Sequence, residues 1–206
     1  MQILFVHGMG RTPMSGAPLL FYLRKKGYST TSFAYFAALE SFVPIRDRLC
    51  RKIEQIAAQG DYVLIGHSLG GVLLRAALSN LPEHSRMPTH VFLLGSPISA
   101  SRMAKKLGER FLFRMLTGDC GQLLSSIERM AKIAGLRVPN TSIVGIKGIN
   151  GKYSPFLDEL NDGIVAVSET SADWIGQEIR VAVIHTFLPS SMLVFDALLQ
   201  VLKEKV

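Results

Sequence analysis

The sequence predicts an α/β protein built on about six mainly parallel strands with helices on both faces. Three observations carry that reading. Short apolar runs alternate with stretches of helical periodicity, the pattern of repeated β-α-β units. Several of the runs open into glycine-rich turns, such as Gly66-His67-Ser68-Leu69-Gly70-Gly71, where a strand gives way to a helix. Finally, 206 residues at 48% hydrophobic and 19% charged can bury one sizeable core, which excludes a disordered or collagen-like chain.

Taken in order, Ile3 to Val6 reads as a buried strand ending in His7-Gly8-Met9-Gly10. Pro18 to Lys26 reads as a helix stopped by Gly27, and Ser29 to Ala34 as a second strand. In Phe42 to Ala58 the apolar residues Ile45, Leu49, Ile53 and Ile56 keep a helical period, which Gly60 closes. Tyr62 to Ile65 is a third strand, followed by a helix from about Leu69 to Leu81. Val91 to Leu94 is a fourth strand, ended by Gly95-Ser96-Pro97. Residues 101 to 138 break the rhythm with a mostly helical, basic insertion. It resumes with strands at Ser142 to Ile146 and Ile179 to Ile184 and a last helix near Ser191 to Lys203. The expectation is one domain over 1–206, interrupted by a helical cap or lid at about 101–138.

Composition narrows the class further. A net charge of +7 permits anionic partners without choosing one. Two cysteines, Cys50 and Cys120, are too few for a disulfide scaffold or a four-cysteine metal site. The first apolar run is too short for a signal peptide, and the longest apolar stretch, Tyr62 to Leu81, is broken by His67, Arg75 and Gly70-Gly71. The expected setting is the cytoplasm, with reduced thiols.

Chemistry concentrates at Gly66-His67-Ser68-Leu69-Gly70-Gly71. G-x-S-x-G between a strand and a helix describes a nucleophile elbow, a sharp turn that presents a serine at the sheet edge. Side chains at positions 66 and 70 would collide with the neighbouring strand or helix, and the helix N-terminus favours negative charge. The bland alternative is a glycine-rich turn with an idle serine. An active Ser68 needs a base, and the base an orienting acid. Of the histidines after Ser68, His84 lies in a polar connection and His90 at the start of a strand. His185 alone follows an apolar strand, at the edge where parallel sheets place their chemistry. For the acid, Asp162 of Asn161-Asp162-Gly163-Ile164-Val165 falls between the two last strands. Asp158, Glu159 and Asp173 compete with it, and an Asp-Gly turn is its structural alternative.

A tetrahedral intermediate also requires two backbone donors. The residue after the nucleophile supplies Leu69, and the loop after the first strand supplies Met9. A dinucleotide fingerprint at Gly8-Met9-Gly10 fails because Pro13 stands at the third glycine. There is no Walker motif, His-Glu-x-x-His or calcium loop, so neither metal nor organic cofactor is expected. His7 and His67 are expected to pack around the site.

Together, Val6-His7-Gly8-Met9-Gly10, Gly66-His67-Ser68-Leu69-Gly70-Gly71, Asn161-Asp162-Gly163-Ile164-Val165 and His185-Thr186 resemble the small lipase/esterase-like α/β-hydrolase family. The four motifs occur in the family's order and span nearly the whole chain. The resemblance implies an α/β-hydrolase fold and a Ser68-His185-Asp162 hydrolase of acyl esters, starting at the strand before the oxyanion loop as minimal lipases do. The sequence departs from the family after the fourth strand. Where relatives show Gly-Thr/Ser-Pro-His-x-Gly-Ser, it has Gly95-Ser96-Pro97-Ile98-Ser99-Ala100-Ser101.

The insertion holds five of the seven excess positive charges. Met103, Leu107, Phe111 and Met115 recur every four residues beside Arg102, Lys106, Arg110 and Arg114, an amphipathic helix with a cationic flank. Either it is a fixed cap with solvated charges, the favoured reading, or a lid making weak contact with an anionic membrane surface. Nucleic acid is not an expected partner, because no stacking platform accompanies the basic residues. The expected substrate is a small-molecule, apolar acyl ester of medium or long chain, given the Leu-, Met- and Phe-rich insertion. Thioester hydrolysis or acyl transfer by the same residues, and a silent binding module on this fold, are the alternatives.

Overall fold

Strands β1 (Gln2–Val6), β2 (Ser29–Phe33), β3 (Tyr62–His67), β4 (His90–Leu94), β5 (Asn140–Gly145) and β6 (Gln177–Val181) form one sheet. Its order is β2-β1-β3-β4-β5-β6 and every neighbouring pair is parallel. The computed structural model describes residues 1–108, 111–152 and 154–205, with backbone alone for 107, 108, 111–116 and 205. The central strands read as continuous apolar runs because they are buried on both faces. Along β1, Ile3 and Phe5 pack with Leu19 and Leu23 of helix α1 (Ala17–Lys25) and with Val194, Leu198 and Val201 of helix α8 (Met192–Lys205). Leu4 and Val6 point the other way, to helices α2 (Phe42–Ala57) and α3 (Leu69–Leu78).

The chain leaves β1 toward β2 on one side and returns to β3 on the other, so the loops after β1 and β3 part at a topological switch point. Open α/β sheets place their ligands in such a crevice. Register carries this over to residues, since Val6 pairs with Gly66. The loop after β1 and the Ser68 turn after β3 therefore leave the sheet side by side.

The insertion forms helices α4 (Arg102–Gly108), α5 (Phe111–Ser125) and α6 (Ile127–Ala131). Ala104, Cys120, Leu123, Leu124 and Met130 are buried in the core shared with α2 and α3. Gly118 breaks α5 at φ 54°, and a side chain there would lie 3.0 Å from the Ala37 carbonyl oxygen. The break brings Asp119 against α2, where its carboxylate accepts from the Phe42 N–H at 2.9 Å and pairs with Arg129 at 2.8 Å. At the other end Arg102 donates to Glu159 at 2.6 Å, and its backbone N–H donates to the buried Glu169 at 2.5 Å. Lys132 pairs with Glu128. These charges are engaged within the protein. Leu107, Phe111, Met115, Arg110 and Arg114 of the expected amphipathic pattern lie outside the described residues or side chains.

Arg75 of α3 is fully buried and faces carbonyls rather than a carboxylate. It donates to Ile133 at 2.7 Å, Ala134 at 3.2 Å and Ile98 at 3.3 Å, with Trp174 against its guanidinium face. Burial pulls its pKa down to about 10. The contacts pin the loop after β4 and the turn before β5 to the helix that follows Ser68.

The elements match the sequence to within a few residues, and the edge strand β6 shows the largest shift of a strand. The apolar run Ile179 to Ile184 predicts a strand two to three residues later than β6, which pairs Gln177 to Val181 with Thr141 to Gly145. An edge strand tolerates Gln177, Glu178 and Arg180 because one side meets solvent, so polarity there is no sign of a loop. Past Val181 the chain bends, with the Val183 N–H donating to the Val181 carbonyl at 2.8 Å. His185 thus follows the strand by a short bend and opens a 3-10 turn over His185–Ser190. Two further elements had no periodic signal: helix α7 (Val167–Thr170) and a 3-10 turn at Pro13–Gly16. Among the described residues, no helix is long and apolar enough to cross a membrane.

Candidate active site

Ser68 sits between β3 and α3 at φ 53° and ψ −122°, a conformation L-residues rarely hold. Its own N–H donates to Leu94 of β4 at 2.9 Å, and its carbonyl accepts from Gly71 at 3.0 Å. The flanking glycines are sterically required. A Cβ on Gly66 would lie 2.5 Å from Gly71 Cα, and one on Gly70 would overlap the Val6 carbonyl oxygen and stand 2.6 Å from that of His7. The loop after β1 presses equally close, since a Cβ on Gly8 would be 3.1 Å from Ser68 Cβ. Met9 therefore flanks the serine from β1. Leu69 adjoins it as the first residue of α3, where N–H groups have no intrahelical acceptor.

His185 and Asp162 meet from two different loops. His185 Nδ1 lies 2.6 Å from Asp162 Oδ2, and the His185 backbone N–H donates to the Asp162 carbonyl at 2.9 Å. The other carboxylate oxygen, Oδ1, accepts from Ile164 N–H at 2.9 Å and Val165 N–H at 2.7 Å. Both residues are buried. With Nδ1–H donating to Asp162, His185 carries its lone pair on Nε2. Asn161 holds the acid loop in shape: its side-chain amide donates to Asn150 and Glu159, and its Oδ1 accepts from Gly163 N–H. The competing acids go elsewhere. Glu159 pairs with Arg102, and Asp158 is exposed. Asp173 adjoins Trp174, whose carbonyl accepts from Asn140 at the start of β5, the edge of the sheet opposite the site. His84 is exposed, and His90 Nε2 is 2.9 Å from Thr141 Oγ1 within the sheet.

Ser68 and His185 line one cavity of about 220 Å³, with Met9, Arg11, Thr186, Pro97, Met103 and Leu124 among its other walls. Met103 and Leu124 bring the insertion to the site, as a cap would.

His7 and His67 pack around it as the sequence suggested. His7 stacks on Tyr35 at 4.2 Å, and its Nδ1–H donates to Gly8 at 2.9 Å. His67 Nε2–H donates to the His185 carbonyl at 3.1 Å, its ring 4.9 Å from that of His185. Burial pushes the pKa of both downward, and at His67 the neighbouring His185 and Arg11 add to the effect. Unfolded, each takes up a proton near the ordinary value of about 6.5. The unfolded state then binds more protons, so this stability is complete above about pH 6.5 and declines as pH falls below it. The urea midpoint should drop between pH 7.5 and 5.5, and less steeply in His67→Gln. A midpoint that stays level or rises over that interval would refute the assignment.

Sequence reasoning missed three contributors. Gly95, at φ 54°, lets the loop after β4 run beneath the pair, where a Cβ would be 3.0 Å from Asp162 Oδ2 and 3.1 Å from His185 Nδ1. Ser96 Oγ donates to the Gly66 carbonyl at 3.2 Å, under the elbow. Arg11 Nη2 donates to Thr186 Oγ1 at 2.9 Å, tying the loop after β1 to the residue after His185. Its sequence signal, a cation directly after Gly8-Met9-Gly10, was visible but had no assigned use.

A six-stranded parallel sheet with a strained serine turn after its third strand, an acid after its fifth and a histidine after its sixth defines a structural class. The chain has the α/β-hydrolase fold. It resembles the mature lipase BlEst2 of Bacillus licheniformis at TM-score 0.78 and 18% identity, over 98% of this chain and 91% of that one. It resembles the RedJ thioesterase of the prodiginine pathway in Streptomyces coelicolor at 0.64 and 16%, over 100% and 90%. Tomato methylketone synthase I, complexed with 2-tridecanone, matches at 0.65 and 13%, over 100% and 98%. No protein-family model and no curated protein matches the sequence.

Proposed function

We propose that the protein is a serine hydrolase of carboxylic esters, with Ser68 as nucleophile, His185 as general base and Asp162 as the group that orients it. One observation carries the reading: a single cavity is lined by a serine in elbow geometry and by a histidine held 2.6 Å from a buried carboxylate. Ser68 Oγ attacks the acyl carbonyl carbon as its proton passes to His185 Nε2. The carbonyl oxygen becomes an oxyanion facing the N–H groups of Met9 and Leu69. Collapse breaks the bond to the leaving alkoxide, which takes the proton from His185, and leaves an acyl ester on Ser68. Water, deprotonated by His185, then releases the acid and restores the serine. No metal or organic cofactor enters these steps. The apolar walls at Pro97, Met103, Ala104 and Leu124 suit an acyl chain.

Thioester cleavage is the second reading, favoured by the likeness to the RedJ thioesterase, since a thiolate leaves by the same steps. Among the described side chains, weak contact of the insertion with an anionic surface rests on the exposed Lys105, Lys106 and Arg137, because Arg102, Arg129 and Lys132 are engaged in ion pairs.

A fluorophosphonate probe tests the reading, because it reacts with serines activated by their neighbours. Wild type should label, and Ser68→Ala and His185→Ala should not. Labelling retained in folded Ser68→Ala would overturn it, and a folded wild type inert with and without detergent would favour a binding module.

A further inference from the structure

Among the described residues lining the active-site cavity, Arg11 carries the one permanent charge. Its position is built from the backbone up. The loop after β1 closes a turn in which the Arg11 N–H donates to the Gly8 carbonyl at 3.3 Å, with Gly10 at φ 66°. The guanidinium then reaches Thr186 Oγ1 at 2.9 Å. That bond uses one of five N–H donors, and none of the ion pairs among the described residues gives Arg11 a carboxylate. Three structural arginines in this protein are treated otherwise: Arg102 has Glu159 and Glu169, Arg129 has Asp119, and the buried Arg75 spends its fork on three backbone carbonyls. Arg11 is an exposed cation at the mouth of the cavity, with an oriented and largely unspent fork.

The cavity is also chemically divided. Pro97, Met103, Ala104 and Leu124, from the loop after β4 and the insertion, give apolar walls, whereas Thr186 directly follows His185 and is bonded to Arg11. In the proposed reaction His185 hands its proton to the departing oxygen, so the leaving group faces the His185 side and the acyl chain takes the apolar one. We propose that Arg11 is a specificity residue that selects acyl esters whose leaving group bears an anion, a carboxylate or phosphate near the scissile bond. A guanidinium suits either oxyanion through paired N–H donors. This inference deepens the ester-hydrolase reading and rests on it.

The test uses three octanoyl-length substrates: the 4-nitrophenyl ester, the ester of 3-carboxy-4-nitrophenol, and the 4-nitrophenyl monoester of suberic acid. The first is neutral, the second puts the carboxylate on the leaving group, and the third puts it on the far end of the acyl chain. Comparing kcat/KM ratios between wild type and variant cancels differences in intrinsic reactivity. Arg11→Ala should lower the ratio of the second ester to the first by about ten-fold, the scale of one charge-assisted contact. Arg11→Glu should lower it further, Arg11→Lys should restore part of it, and about 1 M salt should shrink the wild-type preference. The third ester should follow the first. If Arg11→Ala weakens all three alike, the residue is only a clamp on the loop and the proposal fails. A loss confined to the third ester would overturn its placement on the leaving-group side. Wild type hydrolysing none of the three would sink the ester-hydrolase reading itself, an outcome distinct from both.

Discussion

Asp162→Asn should lower kcat for an activated ester by about four orders of magnitude while leaving the protein folded. The two backbone donors on Asp162 make this expectation sharp. Ile164 N–H and Val165 N–H both point at Oδ1, at 2.9 and 2.7 Å, so an asparagine at this position must put its oxygen there. Its amide NH₂ then faces His185 Nδ1, where the carboxylate oxygen lay at 2.6 Å. An NH₂ group can only donate, so Nδ1 must become the acceptor and the ring proton moves to Nε2. A histidine protonated at Nε2 and neutral overall cannot take the serine proton. Steady-state kinetics beside a urea melt would measure both halves of the expectation. A loss of less than ten-fold would mean that Asp162 does not set the tautomer of His185. Asp162→Ala is the poorer test, because it strands the Ile164 N–H and the buried Val165 N–H and confounds chemistry with stability.

The second large effect is structural. Gly70→Ala should destabilise the protein by about 3 kcal/mol or more, leaving little folded material at 25 °C. The new methyl group would overlap the Val6 carbonyl oxygen and crowd that of His7. Both are backbone atoms at the end of a central strand, so neither can rotate aside. Gly10→Ala is the matched comparison. Gly10 has φ 66°, but a methyl group there would meet nothing within 4 Å, so only local conformational strain of about 1 kcal/mol opposes the change. Circular dichroism and urea midpoints for the two variants should differ widely. Equal midpoints would mean that α3 and β1 can separate without loss, and that the elbow's packing is not what the glycine protects.

Much of this architecture was legible because the relevant forces are local. Ile3 to Val6 and Tyr62 to Ile65 are apolar throughout because both faces of a central parallel strand are buried. The elbow was readable because Gly66 and Gly70 are steric necessities of one short turn. His185 could be proposed from chain order together with its place after an apolar strand, and Asp162 from its place between the last two strands. What escaped notice depends on partners remote in sequence. Nothing near Arg75 tells that it ends among the carbonyls of Ile98, Ile133 and Ala134, and a lone arginine in an apolar helix reads as a surface residue. Nothing around Asp119 marks it as the acceptor for the first turn of α2, 77 positions away. Gly95 looked like a strand terminator, whereas its missing side chain makes room for the acid and base. The end of β6 was misplaced because apolar character was the cue, and an edge strand does not need it. For the insertion, the alternation of Arg and Lys with apolar residues indicates an amphipathic helix. It carries no trace of the ion pairs of Arg102, whose partners Glu159 and Glu169 lie elsewhere in the chain, or of Arg129, whose partner Asp119 directly follows the break in α5.

The shared register of Val6 and Gly66 has a mechanical consequence. Ser68 and the loop bearing Met9 hang from β3 and β1, inside a sheet flanked on both sides by further strands. Moving one relative to the other would shear ladder hydrogen bonds in the best-protected part of the molecule. His185 instead hangs from β6, a half-exposed edge strand whose chain bends before reaching it. Its anchorage is a handful of loop bonds to Asp162 and His67. Local opening in proteins is cheapest where buried contacts are fewest. Local opening is therefore expected to cost less around His185 than around Ser68 and Met9.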